Sequence, residues 1–287
     1  MIKFIKVKSF HELTIYQKII LIVLAFIVGI IIFYKFPAPA GDFNWTFYPV
    51  SQKPFQPYEI KSFNYPPWTS LFLFPLHFFP ENLSQAINAS LNLIIFSLVI
   101  IKRKGNTLSL FLTLTSFPFL SIIAQGYIEW IPALGFVIQD GWGLPMLLTK
   151  PQSGSLAALS WFLSTKNKKR FLLPVILTII LSFIVWGNWP IAMIASIKYF
   201  TSKGYSFINP TFPIFPWAIP IGIGLLIYIL KFRPKNGEIL ATLATFCLIP
   251  YFTPQSLLIL FALLSVSYPR LAILVWASQW LFFVLIR

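Results

Sequence analysis

Long apolar runs separated by short polar breaks recur along the whole chain. Runs of about 18 or more such residues are long enough to cross a hydrocarbon layer of roughly 30 Å as helices. The pattern predicts apolar spans at about 14–35, 82–101, 106–123, 171–187, 213–230, 237–252, 255–267 and 270–286. Shorter apolar pieces lie between them. Residues 66–80 are broken by Pro66, Pro67, Pro75 and Pro80, a length and composition that suit a re-entrant or interfacial helix. Residues 127–139 close at Gln139-Asp140-Gly141 and are read as re-entrant. Residues 142–149 and 153–165 flank Lys150-Pro151-Gln152, and each is too short to cross alone. They predict two short helices meeting at a polar break, an arrangement tolerated at membrane depth only where it lines a cavity or protein interior.

The expectation is an all-α, polytopic integral membrane protein of about ten or eleven membrane segments. No soluble domain or low-complexity tract interrupts it, so residues 1–287 are read as one transmembrane domain, with 36–80 as a loop carrying an interfacial helix.

Charge orients the segments. Lys3, Lys6 and Lys8, then the clusters at 102–104, 166–170 and 231–235, all fall on one side of this map. Positive charge marks the cytoplasmic side, so the N-terminus is expected inside and 36–80 outside. The first run has no small-residue cleavage site and is read as a retained span. Residues Gly187 to Pro210 are read as an outer loop.

Composition removes several classes. Charged residues make up 10% of the chain, against about a quarter in a soluble domain. Lys and Arg number 22 and Asp and Glu 7, but the basic residues sit at the ends of apolar runs, so no nucleic-acid partner is expected. The single cysteine, Cys247, excludes an intrachain disulfide and is read as a small buried hydrophobe. No Walker-type loop is present, and His11 and His77 lie too far apart in the map to form a metal pair.

The stretch 41–80 is too polar and proline-rich for a plain span and too aromatic for a solvated linker. Asp42 opens it among Phe43, Trp45, Phe47 and Tyr48. A carboxylate just outside an apolar span is a functional candidate, although an aromatic belt with an incidental acid has the same pattern. The outer side also collects Tyr48, Tyr58, Glu59, Tyr65, Gln125, Glu129, Lys150, Gln152, Asn188 and Gln255, with Lys53 and Lys61. Aromatic rings with a few carboxylates and amides suit a sugar, whose CH faces stack and whose hydroxyls need acceptors. Lys150 in the break suits a lipid phosphate, or is a snorkelling lysine with carbonyl partners. Gln125 can satisfy a helix end, Glu129 can cap the helix that follows it, and His77 either packs at the interface or contacts a phosphate.

The order Gly41-Asp42-Phe43, Phe47-Tyr48, Pro57-Tyr58, Asn64-Tyr65-Pro66-Pro67-Trp68, Ala124-Gln125-Gly126, Lys150-Pro151-Gln152 and Pro254-Gln255-Ser256 resembles the membrane-embedded GT-C glycosyltransferases. The likeness is to the family 87 group of polyprenyl-phosphate-mannose-dependent mannosyltransferases and runs from about 14 to 170. It implies a GT-C-like core and an inverting transfer of a hexose, mannose in that group, from a polyprenyl-phosphate sugar to a lipid or glycan acceptor. It implies Asp42 as the general base on the acceptor hydroxyl. Lys150, Gln125 and Gln152 then fall to the donor and its phosphate. Tyr48, Tyr58, Tyr65, Glu59 and His77 fall to substrate. No metal and no cofactor are expected beyond the lipid-linked donor, and the site would face outward in a bacterial or archaeal cell membrane. Two other readings stay open. The chain is short for that family, as an inactive subunit of a membrane complex would be. Its broken helices also fit a lipid or solute transporter.

Overall fold

The computed structural model describes residues 14–202, 216–249 and 253–285. The basic start with Lys3, Lys6, Lys8 and His11 lies outside these residues, as do Lys203 and Pro210.

Among the described residues the protein is helical throughout and has no strand. α1 (Ile15–Lys35) begins at a capping box, in which the Thr14 hydroxyl accepts from the Gln17 amide at 3.3 Å and the Gln17 side chain accepts from the Thr14 amide at 3.0 Å. A π-helical turn, Phe43–Phe47, runs into α2 (Tyr48–Gln52). α3 (Thr69–Leu73) continues as a 3-10 turn to Phe78, so the proline-broken stretch is a short helix as expected. α4 (Glu81–Lys102) matches the second apolar run.

The run at 106–123, expected as one span, is divided into α5 (Thr107–Leu114) and α6 (Phe117–Gln125), bent by 51°. The cause is local. The Ser116 hydroxyl accepts from the Phe119 amide at 3.4 Å and caps a new helix, and Pro118 stands in its first turn, where no amide is needed. α7 (Trp130–Ile138), α8 (Gly143–Leu147) and α9 (Ala157–Ser164) are the expected short pieces, and α10 (Lys168–Trp186) follows. Residues 189–202, expected as loop, form α11 (Trp189–Ser202). α12 (Ile219–Phe232), α13 (Gly237–Leu248), α14 (Leu258–Ser267) and α15 (Pro269–Leu285) complete the order.

Among the described residues three helices, α1, α4 and α10, are long and apolar enough to cross a membrane, or four spans if the bent α5–α6 pair counts as one. α13 and α14 have 12 and 10 residues and at 1.5 Å per residue reach only about 15–18 Å, so neither crosses alone.

α4 is the central element. It packs on α1, α5, α6, α7 and α14 and contributes Phe96, Val99 and Ile100 to a core shared with Phe43, Phe47, Phe63, Ile131 and Phe136. Gly29 lets α1 lie close to α4, because a Cβ there would stand 2.9 Å from Ser90 Oγ. Cys247 is buried on α13, as expected of a small hydrophobe. At the other end of α4, Arg103 reaches Glu238 at the start of α13, with Nε to Oε2 at 3.1 Å. Gln139 and Trp161 also donate to Glu238, at 3.1 Å and 3.0 Å. This one carboxylate therefore ties α4, α7, α9 and α13 together next to the basic cluster at 102–104.

The charge map gives a direct test. With Cys247 replaced, an impermeant thiol reagent added outside intact membranes should label Gln52→Cys and leave Lys166→Cys unlabelled until the membrane is opened. Both positions are exposed, whereas Ser51 is fully buried. Labelling of Lys166→Cys from outside would overturn the orientation.

Candidate functional site

The site is assembled around the short link between α6 and α7. Asn88 and Asn92, one turn apart on α4, hold that link from below. Asn88 Nδ2 donates to the carbonyls of Gly126 and Tyr127 at 3.1 and 3.2 Å, and Asn92 Nδ2 donates to the Tyr127 carbonyl at 2.9 Å. Trp130 Nε1 donates to Asn88 Oδ1 at 2.9 Å. Both asparagines are buried, so these bonds fix the link where a free amide would be costly. Neither asparagine stood out among the sequence candidates. The available signal was a polar pair at helical spacing inside an apolar span.

One side of the link receives the segment after α1. The Ala40 amide donates to the Ala124 carbonyl at 2.8 Å, and Gln85 Nε2 donates to the Ala38 carbonyl at 2.6 Å. Gly126 has φ +73°, and a Cβ there would stand 2.4 Å from Phe43 Cβ, so only glycine permits this approach. Gln125 is exposed, and its Oε1 lies 3.6 Å from the place a Cβ on Gly41 would occupy. The motifs at 41–43 and 124–126 are thereby brought together.

Asp42 follows directly. It is half-buried and precedes the π-turn, and no described residue forms a hydrogen bond or ion pair with its carboxylate. Phe43 and Phe47 point into the core, while Trp45 stands exposed. Single π-turns are rare and concentrate at functional sites.

The other side of the link meets the break at Lys150. Lys150 and Glu129 are ion-paired, both almost fully buried, and Ser153 Oγ donates to Glu129 Oε2 at 2.8 Å. The Lys150 ammonium also lies 4.8 Å from the centre of the Tyr127 ring. The expected polar break is present: a 3-10 turn, Pro151–Ser153, separates α8 from α9. The chemistry differs from the expectation. Lys150, read either as facing a lipid phosphate or as a snorkelling lysine with carbonyl partners, is paired with Glu129. Glu129, expected as a helix cap, stands at the cap position of α7 but makes no capping bond. A buried ammonium without a partner would be expensive, and Glu129 supplies the anion here.

Pro254-Gln255-Ser256 forms a second 3-10 turn packed against the one at 151–153. Gln255 Nε2 donates to Ser121 Oγ at 2.7 Å, and its buried Oε1 has no partner among the described residues.

A cavity of about 220 Å³ lies beside the break, lined by Asn64, Tyr65, Pro66, Thr149, Pro151, Gln152, Met193, Ile197 and Ile249. It joins Tyr65 to Gln152, which sequence assigned to substrate and donor. Asp42 and Lys150 do not line it. The remaining candidates are dispersed. Tyr48 donates to the Phe79 carbonyl at 3.2 Å. Tyr58 donates to the Tyr65 carbonyl at 2.9 Å, and burial pushes its phenol up, out of the range where tyrosines ordinarily ionise. Glu59 pairs with Lys53 at 2.6 Å on the exposed surface. His77 is exposed and stacked on Phe74, with ring centres 6.3 Å apart. Asn188 is exposed at the start of α11. No group of three or more metal-ligating side chains is found among the described residues.

Comparisons with protein-family models, with curated proteins and with solved structures each find no match for this chain.

Proposed function

We propose that this protein is a membrane-embedded inverting glycosyltransferase that moves a hexose from a polyprenyl-phosphate sugar to a lipid or glycan acceptor. In this reading about ten or eleven membrane segments, several of them half-length, surround a GT-C-like core. The observation that carries the reading is Asp42: a half-buried carboxylate with no partner among the described residues, held at the head of a π-turn next to Gly41, which approaches Gln125. A carboxylate already used in an ion pair could not accept a proton readily, whereas this one is available. Asp42 accepts the acceptor hydroxyl's proton as that oxygen attacks the anomeric carbon. The bond from that carbon to the phosphate oxygen breaks, and the polyprenyl phosphate leaves with the electron pair. Configuration at the sugar carbon inverts. The cavity beside the break is mostly apolar, and Asn64, Tyr65, Thr149 and Gln152 on its wall offer hydroxyl partners for a sugar. Lys150 supports the break as half of a neutral pair and brings no net charge to the donor.

The test is transfer itself. Purified protein with a polyprenyl-phosphate hexose and membrane glycolipid acceptors should yield a lengthened acceptor with inverted linkage. The absence of transfer from every such donor would remove the reading.

One observation favours a second reading. An inactive subunit would also keep its broken helices, with internal charges satisfied as Lys150 is by Glu129. Failed transfer together with a stable partner chain would support it.

A further inference from the structure

α1 and the start of α4 flank an open groove of about 360 Å³, lined by Ile30, Ile31, Tyr34, Lys35, Pro80 and Leu83. Its walls are apolar apart from Tyr34 and Lys35, which lie in the last turn of α1. Lys35 is exposed and forms no ion pair or hydrogen bond with the described residues. Glu81, which follows Pro80 and opens α4, is not bridged to it. α1 is long enough to cross a membrane, so Lys35 at its end falls at headgroup depth, where lipid phosphates lie.

We propose that this groove seats the hydrocarbon chain of a polyprenyl phosphate and that Lys35 holds its phosphate. The inference rests on the transferase reading and adds the place where the donor sits. Lipid tails are as apolar as the groove, so shape and the Lys35–phosphate attraction must supply selectivity, not the hydrophobic effect. A single slot between two helices accepts one long chain, whereas a phospholipid must place two. The position relative to Asp42 fits a donor. Leu83 walls the groove, and two residues further along α4 Gln85 pins Ala38, on the segment that runs from Lys35 to Asp42. A phosphate on Lys35 therefore lies at the origin of the segment that carries the base, and its sugar can extend along it.

The experiment uses the full chain in detergent with a polyprenyl phosphate bearing a photoreactive group on its chain. Crosslinks should map to 30–35 and 80–83. Lys35→Glu, an exposed change that leaves the core intact, should lower labelling about tenfold, and Leu83→Trp should do the same by filling the slot. Unlabelled undecaprenyl phosphate should compete at least about tenfold better than undecaprenol or phosphatidylglycerol. Labelling that maps elsewhere, or that is indifferent to Lys35→Glu, overturns the proposal, and so does equal competition by phosphatidylglycerol. The two readings fail separately. If the parent protein transfers sugar and Lys35→Glu keeps its donor KM, the groove assignment is wrong and the transferase stands. If labelling behaves as expected but no donor supports transfer, the groove stands and the transferase falls.

Discussion

Asp42→Asn should fold and insert as the parent does, retain polyprenyl-phosphate binding, and transfer sugar about a hundred to ten thousand times more slowly. The amide keeps the shape of the carboxylate and removes its basicity. Because no described residue bonds to the Asp42 side chain, the exchange breaks no contact there and stability should be unchanged. Glu59→Gln is the control. Glu59 shares an exposed pair with Lys53, an interaction worth about 0–1 kcal/mol, so both its rate and its stability should stay near the parent's. Initial rates with a polyprenyl-phosphate donor, normalised to correctly folded protein by size-exclusion chromatography, decide the matter. Transfer by Asp42→Asn at the parent rate would show that another group takes the proton.

The second large effect concerns the buried pair. Lys150→Met leaves Glu129 without its cation, and Glu129→Leu leaves Lys150 without its anion. Each single change should cost about 3–5 kcal/mol of stability, seen as a lowered unfolding temperature in detergent. The double variant Lys150→Met with Glu129→Leu replaces both charges by apolar groups and should recover most of the loss, since paired replacement is often neutral or better. Ser153 would then lose one acceptor, a loss of about 1 kcal/mol. A double variant as unstable as the sum of the two single ones would mean that the pair is not the reason Lys150 is there. Normal stability with lost turnover in Lys150→Met would restore Lys150 as a donor contact.

These two residues also show where sequence reading reaches its limit. The break at 149–153 was legible, because proline and polar residues between two short apolar pieces leave few alternatives. Its electrostatics were not. Glu129 and Lys150 are 21 residues apart and meet beside the link at 126–129, whose Gly126 and Tyr127 carbonyls Asn88 and Asn92 hold. Spacing carries no trace of such a contact. The bounds of α1 and α4 were legible from the apolar runs and their basic ends, and the helical class followed from the same runs. The bend between α5 and α6 was hidden, since Thr115 and Ser116 barely lower the apolar average yet one of them caps a helix. Residues 189–202 looked like loop because Gly187, Asn188 and Lys198 dominate the impression. The helix there is tied to the 61–63 turn, where Ser196 Oγ donates to the Lys61 and Phe63 carbonyls, each at 2.8 Å. The π-turn after Asp42 has no sequence signature available to a single chain.

The manner in which α1 is held has a mechanical consequence. This helix leans on α4 and is otherwise almost entirely unburied, and the segment that ends at Asp42 starts from its last residue. Its 21 residues measure about 31 Å, close to the thickness of an ordinary hydrocarbon layer. A thinner bilayer makes such a helix tilt, and little besides α4 resists the motion. The tilt would pull on residues 36–40 and hence on the Asp42 carboxylate, making the proposed transfer sensitive to membrane thickness. Reconstitution in phosphatidylcholines of graded acyl length should give a maximum in transfer rate near the matching thickness, with α4 and the Lys150 break unchanged in protease protection. A rate indifferent to acyl length would mean that the Gln85 bond to Ala38 isolates Asp42 from α1.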